Sequence, residues 1–169
     1  MTVINAMRFN EESGGMVADS QSSVMATARK YDTADKMGTY VSNDGSRILV
    51  GGSGILPFLH GAQQNLAKKF SSDKNFTTAE LAYALGDTLT AKLRDLINQA
   101  MQTRFGFGAK EYVGGKLNDG SPIAPHILGP AGELYQGQDR EIAQLSQNGL
   151  LVLGRDKEGI SLYALHMGD

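Results

Sequence analysis

From Val3 to Phe9 the side chains alternate, with Val3, Met7 and Phe9 on one side and Ile4 and Ala6 on the other. A period of two predicts a strand, and apolar residues on both sides suit a strand enclosed in a sandwich. The polar cluster Asn10-Glu11-Glu12-Ser13-Gly14 has hairpin-turn chemistry, so Gly15 to Ala18 is predicted to return antiparallel and bring Asp19 back beside the chain start. Residues 20–35 are small, polar and without a period; they predict a short strand through Ser22 to Met25 and then an irregular connection. A second hairpin is predicted where Lys36 to Val41 and Arg47 to Val50 flank Asp44-Gly45, with a glycine turn at Gly51-Gly52.

The period then changes. Ile55, Phe58, Leu59, Ala62, Leu66 and Phe70 recur at helical spacing, with Pro57 in the first turn, where its missing N–H costs little. They predict a helix over 55–70. Thr77 with Glu80 forms a capping box, and the stripe Leu81, Leu85, Leu89, Leu93, Leu96, Ile97, Ala100 and Met101 predicts a second helix over about 78–103.

Residues 105–148 hold eight glycines and three of the four prolines, and predict short strands and loops that bury Tyr112, Val113, Ile127, Leu128, Leu134 and Tyr135. A third hairpin follows: Leu150 to Leu153, the turn Asp156-Lys157-Glu158-Gly159, and Ile160 to Leu165.

Composition adds limits. The 169 residues suit a single domain over 1–169, and 21 glycines match the many turns. A net charge of −2 with interspersed signs offers no basic field for a nucleic acid or an anionic membrane. No cysteine is present, so neither disulfides nor a thiolate nucleophile enter the chemistry. The start MTVINAMRF lacks the apolar run of a signal peptide, and no stretch approaches a membrane span, so a cytoplasmic protein is expected.

Candidate chemistry gathers in the first fifty residues. Once Met1 is removed, as a small second residue generally permits, Thr2 carries a hydroxyl nucleophile and a free α-amine able to act as its base. Taken alone, Asp19 is equally a turn-capping carboxylate, and Lys36 reads as a solvated lysine blunting a strand edge. Gly51-Gly52-Ser53-Gly54 is open to an oxyanion hole or a plain tight turn, and lacks the spacing of a phosphate-binding loop. His60, His126 and His166 show no metal-ligand spacing, no cofactor is expected, and Met25, Met37, Met101 and Met167 read as core filler.

The order of these segments resembles the proteasome β-subunit branch of the N-terminal nucleophile (Ntn) hydrolases, including its bacterial relatives. The residues that carry the resemblance are Thr2-Val3-Ile4, Gly15-Met16-Val17-Ala18-Asp19-Ser20, Lys36, Val50-Gly51-Gly52 and the hairpin Leu151 to Tyr163. It implies an α+β fold, an αββα four-layer sandwich of antiparallel sheets, and a threonine-type peptidase working on peptide or protein substrates. It also implies a homo-oligomeric ring around an enclosed chamber, with an ATPase unfoldase as a partner. By position Thr2 would be the nucleophile, Asp19 and Lys36 its charged neighbours, and the Gly51 N–H the oxyanion donor. Ser23 would lie on the strand that pairs with extended substrate, and Leu49 would line the pocket for the residue before the scissile bond.

The chain departs from the family pattern in three places. The turn before Asp19 and the connection before Lys36 are each about one residue longer, which makes Lys30 a rival to Lys36. The Gly/Pro-rich stretch 105–148 is an insertion. Family members also continue past the third hairpin with a further strand, two helices and a serine near the nucleophile, so the sandwich is expected to be incomplete at its C-terminus. An uncovered sheet face would expose more apolar surface than a soluble monomer tolerates. Association is therefore expected, with Tyr112, Ile127 and Tyr135 of the insertion at a contact. The alternative function is a noncatalytic subunit that keeps the fold for assembly.

Overall fold

A computed structural model of the chain describes residues 4–18, 22–24, 29–31, 36–54, 61, 64, 66–145 and 149–166. The first hairpin pairs β1 (Ile4–Arg8) with β2 (Gly14–Ala18), Ile4 opposite Ala18 and Arg8 opposite Gly14. Its turn is closed by the Asn10 side chain, whose Oδ1 accepts from the amides of Glu12 and Ser13 at 2.8 and 2.7 Å. The expected short strand forms as β3 (Ser22–Val24), and inside the connection expected to be irregular β4 (Arg29–Tyr31) pairs with it as a small separate ribbon.

The central sheet has four antiparallel strands, β5 (Met37–Val41), β6 (Arg47–Ser53), β7 (Gly149–Asp156) and β8 (Gly159–His166), hydrogen-bonded in that order. The β5–β6 turn forms as its Asp-Gly predicts: Gly45 takes φ 84°, its N–H donates to Ser42 O at 3.0 Å, and Asp44 Oδ1 accepts from Ser46 N at 3.1 Å. The expected turn at Gly51-Gly52 is displaced. Both glycines lie inside β6, opposite Leu151 and Leu150, and the chain leaves the strand at Gly54, φ 132°. Ladder pairing across β5 and β7 holds these glycines extended, overriding their local turn preference.

Strand alternation gives the sheet two faces. Ile48, Val50, Leu150 and Val152 point to one, with Tyr40, Tyr163 and Leu165 around them. On this face lies α1 (Thr78–Phe105), a 28-residue helix begun by the predicted capping box: Glu80 N donates to Thr77 Oγ1, and Thr77 N to Glu80 Oε2. It stops at Gly106 in the left-handed conformation. Leu81, Leu85 and Leu89 are buried against the sheet, each contributing about 1.5–3 kcal/mol by leaving water. Leu66 and Phe70, at the end of the helical residues 66–69, complete this core; the start of the predicted 55–70 helix lies outside the described residues.

The second half of α1 serves a different core. The stretch predicted as short strands and loops is helical: α2 (Ala109–Gly114), α3 (Pro125–Tyr135) and α4 (Arg140–Leu145). Several of its glycines and prolines sit at helix ends, while Gly129, Pro130 and Gly132 lie within α3. Gly108 is the N-cap of α2, Gly115 its left-handed C-cap, and Pro125 opens α3. Ile97 and Met101 of α1 pack with Phe107, Ile123, Ala131, Leu134 and Ile142. Of the six residues expected to be buried there, Leu134 is, Tyr112 and Ile127 are partly so, and Val113, Leu128 and Tyr135 are exposed.

On the other face of the sheet lies the β1–β2 hairpin. A Cβ on Gly14 would stand 3.3 Å from Leu153, and one on Gly51 would stand 3.1 Å from Ile4 Cγ2. Ile4, Ala6 and Met16 thus face inward, while Met7, Phe9 and Val17 stand outward at 61, 65 and 68% exposure. The described residues form helix, sheet and hairpin layers of an α+β protein. The outer face of the hairpin is uncovered.

Candidate functional site

Two of the site residues expected from the sequence, Thr2 and Asp19, lie outside the described residues, but their neighbours place the ends of both strands. Ile4, two residues after Thr2, is opposite Ala18, immediately before Asp19. The hairpin register therefore carries both strand ends to one place, and that place is over β6, where Ile4 touches Gly51.

Lys36 enters from the sheet. It precedes β5, its carbonyl accepts the Gly52 N–H at 2.9 Å, and it is 3% exposed. That burial corrects the picture of a solvated edge lysine. Lys30 stands opposite Ser23 in the separate β3–β4 ribbon. Of the two lysines, Lys36 is the one that the central ladder sets beside Gly51-Gly52.

Gly51 lies opposite Met37 on one side and Leu151 on the other. Because Gly52 N–H donates toward β5, and backbone groups alternate sides along an antiparallel strand, the Gly51 N–H turns toward β7 and its partner Leu151. An oxyanion role for that N–H competes with its ladder bond. Leu49 shares the hairpin face with Gly51, half-buried opposite Thr39 and Leu153.

A residue that sequence reasoning passed over is Met16. Its Sδ would lie 2.7 Å from a Cβ on Gly51, closer than Ile4. The sequence offered Met16 only as part of the stretch Gly15 to Ser20 that carries the resemblance, with no role of its own. Met37, expected in the core, is 37% exposed, whereas Met101 is fully buried.

His126 and His166 are exposed, and no cluster of three metal-ligating side chains occurs among the described residues. Two open depressions lie elsewhere. One of about 470 Å³ is lined by Lys69, Phe76, Glu80 and Tyr83, and one of about 500 Å³ by Thr39, Tyr40, Ala67 and Ser71. Lys36 and Gly51 line neither. No described helix is long and apolar enough to cross a membrane. No family model, curated protein or solved structure matches the chain.

Proposed function

We propose that the protein is a threonine-type Ntn hydrolase of peptide bonds, of the proteasome β-subunit kind. The observation that carries this reading is the convergence of the β1 start, the Ala18 end of β2 and the buried Lys36 on Gly51-Gly52. The Thr2 hydroxyl attacks the substrate carbonyl, the Thr2 α-amine takes its proton and delivers it to the departing amine, and water then releases the acyl group from the Thr2 oxygen. A free α-amine titrates at about 7.7–8.0. A lysine cation nearby lowers that value toward neutrality, where a general base works best, and Asp19 would hold the ammonium in place.

The mechanism requires removal of Met1, because an acylated Thr2 nitrogen is a non-basic amide. Intact-mass measurement reads this directly, and quantitative retention of Met1 in the native host excludes the mechanism. Thr2→Ala is expected to abolish turnover of fluorogenic peptides while leaving the thermal transition in place; turnover at the wild-type rate would refute the assignment. The outward Met7, Phe9 and Val17 favour an assembled state under either reading, catalytic or scaffolding. A homo-oligomeric ring is the form we propose for it.

A further inference from the structure

We propose that copies of this chain assemble head to tail, the β1–β2 hairpin of one docking through Phe9 into the depression of about 470 Å³ beside the start of α1 on the next. The proposal rests on the assembled state proposed above and not on the hydrolysis chemistry. The depression has an aromatic floor, Phe70 and Phe76, both buried and meeting edge to face with ring centroids 5.1 Å apart. Tyr83 stands at its rim, 73% exposed, the most exposed large apolar side chain among the described residues. Aromatic anchors seated in such recesses carry most of the energy of an interface. Phe9, 65% exposed directly after β1, is an anchor of that kind. The hairpin's own outer face gives it no recess: Asn5, Met7 and Val17 fill that face with side chains, and Gly15, the remaining position, already lies under the Phe9 ring.

Charge selects a second copy as the occupant and sets its direction. One wall of the depression is α1, with Glu80 and Asp87 exposed on it; the other is the segment before α1, with Lys69 and Lys74 exposed. Around Phe9 the hairpin carries the complement, exposed Arg8 on the strand side and exposed Glu11 and Glu12 on the turn side. Seating Phe9 with Arg8 toward α1 brings each charge to its opposite, whereas the reverse orientation sets like charges together; such rim charges fix orientation more than affinity. The two surfaces lie on opposite faces of the sheet but at the same end of it. The Glu11 carbonyl reaches the β7–β8 turn, 3.9 Å from a Cβ added to Gly159, and α1 starts on Asp156 of that turn through the Thr78 amide at 2.7 Å. Patches that are not diametrically opposed turn each copy relative to the last, which is the geometry that closes a head-to-tail series into a ring.

A head-to-tail contact has two different halves, so variants that each spoil one half complement one another. Phe9→Lys spoils the anchor and Tyr83→Glu the recess, both at exposed positions. By light scattering of the full chain, each is expected to raise the concentration of half-assembly by at least about tenfold. Mixed in equal amounts at a concentration where each alone is monomeric, they are expected to give the mass of two chains and no more, because the intact anchor of one enters the intact recess of the other and the spoiled halves cap both ends. Tyr83→Glu assembling as the wild type does, or a mixture that stays monomeric, overturns the proposal. Should either variant lose the wild-type thermal transition, the charges give an independent reading. The pairs E11K/E12K and K69E/K74E are each expected to weaken assembly, and all four changes in one chain to restore it; a quadruple variant that assembles no better than either pair overturns the proposal as well. A wild type that is itself monomeric removes the assembled state along with it, and peptide turnover, read separately, tests the hydrolase.

Discussion

Asp44 shows how a single turn residue couples the fold to pH. The Ser46 hydroxyl and the Ser46 amide, the latter at 3.1 Å, hold its pKa at about 2 against an ordinary 3.8. Asp156 is also lowered: burial pulls it up, but the Thr78 amide at 2.7 Å and the Glu158 amide at 3.0 Å outweigh that. Both groups are therefore more acidic folded than unfolded. Their stabilisation is complete above the unfolded value near 4 and is lost as pH falls through the folded values. Urea midpoints are expected to be flat from pH 7 to about 5 and to drop steeply between about 4 and 2, with a shallower drop in Asp44→Asn; an unchanged slope in that variant would count against the assignment. Close packing enters beside Asp156 too, where a Cβ on Gly154 would come within 2.6 Å of Thr78 Cγ2, so the α1 start lies directly on β7.

Helix α1 is the element that joins two cores. Its first half buries Leu81, Leu85 and Leu89 on the sheet, and its second half buries Ile97 and Met101 among α2, α3 and α4. Leu134, 1% exposed in α3, is packed in the second core only. Leu134→Ala is expected to cost about 2–5 kcal/mol through the cavity it leaves. Hydrogen exchange is expected to quicken first across residues 109–142, with β7 and β8 amides keeping their protection longer. Equal loss in sheet and helices would show instead that the two cores open as one. The ion pair Arg104–Asp139, at 2.5 Å, ties the end of α1 to the segment before α4, though an exposed pair of this kind adds little.

For the whole molecule, the three layers leave one apolar face open to water. Met7, Phe9 and Val17 occupy the outer side of the hairpin, and among the described residues their neighbour Gly15 has only the Phe9 ring within 4 Å of an added Cβ. The proposed ring predicts that light scattering after size exclusion gives a mass above that of one chain at micromolar concentration. Phe9→Lys is expected to shift the distribution toward monomer by placing a charge on that face. A wild type that elutes as a clean monomer would remove the support for assembly.

What the sequence determined by itself was local. Three hairpins, the Thr77–Glu80 capping box and the long stripe of α1 were legible because each rests on residues within a few positions of one another, in alternation, turn chemistry or helical period. The tertiary structure decided the rest. Gly51-Gly52 became strand because β5 and β7 flank them, and the Gly/Pro-rich stretch became three helices because α1 offered a second apolar face for them to cover. Of the candidate site, the residue types were visible in the chain, but the burial of Lys36 and the seating of Ile4 and Met16 on Gly51 were not. Contacts between residues 16 and 51 depend on how one sheet lies on another, and no period in a single chain encodes that distance.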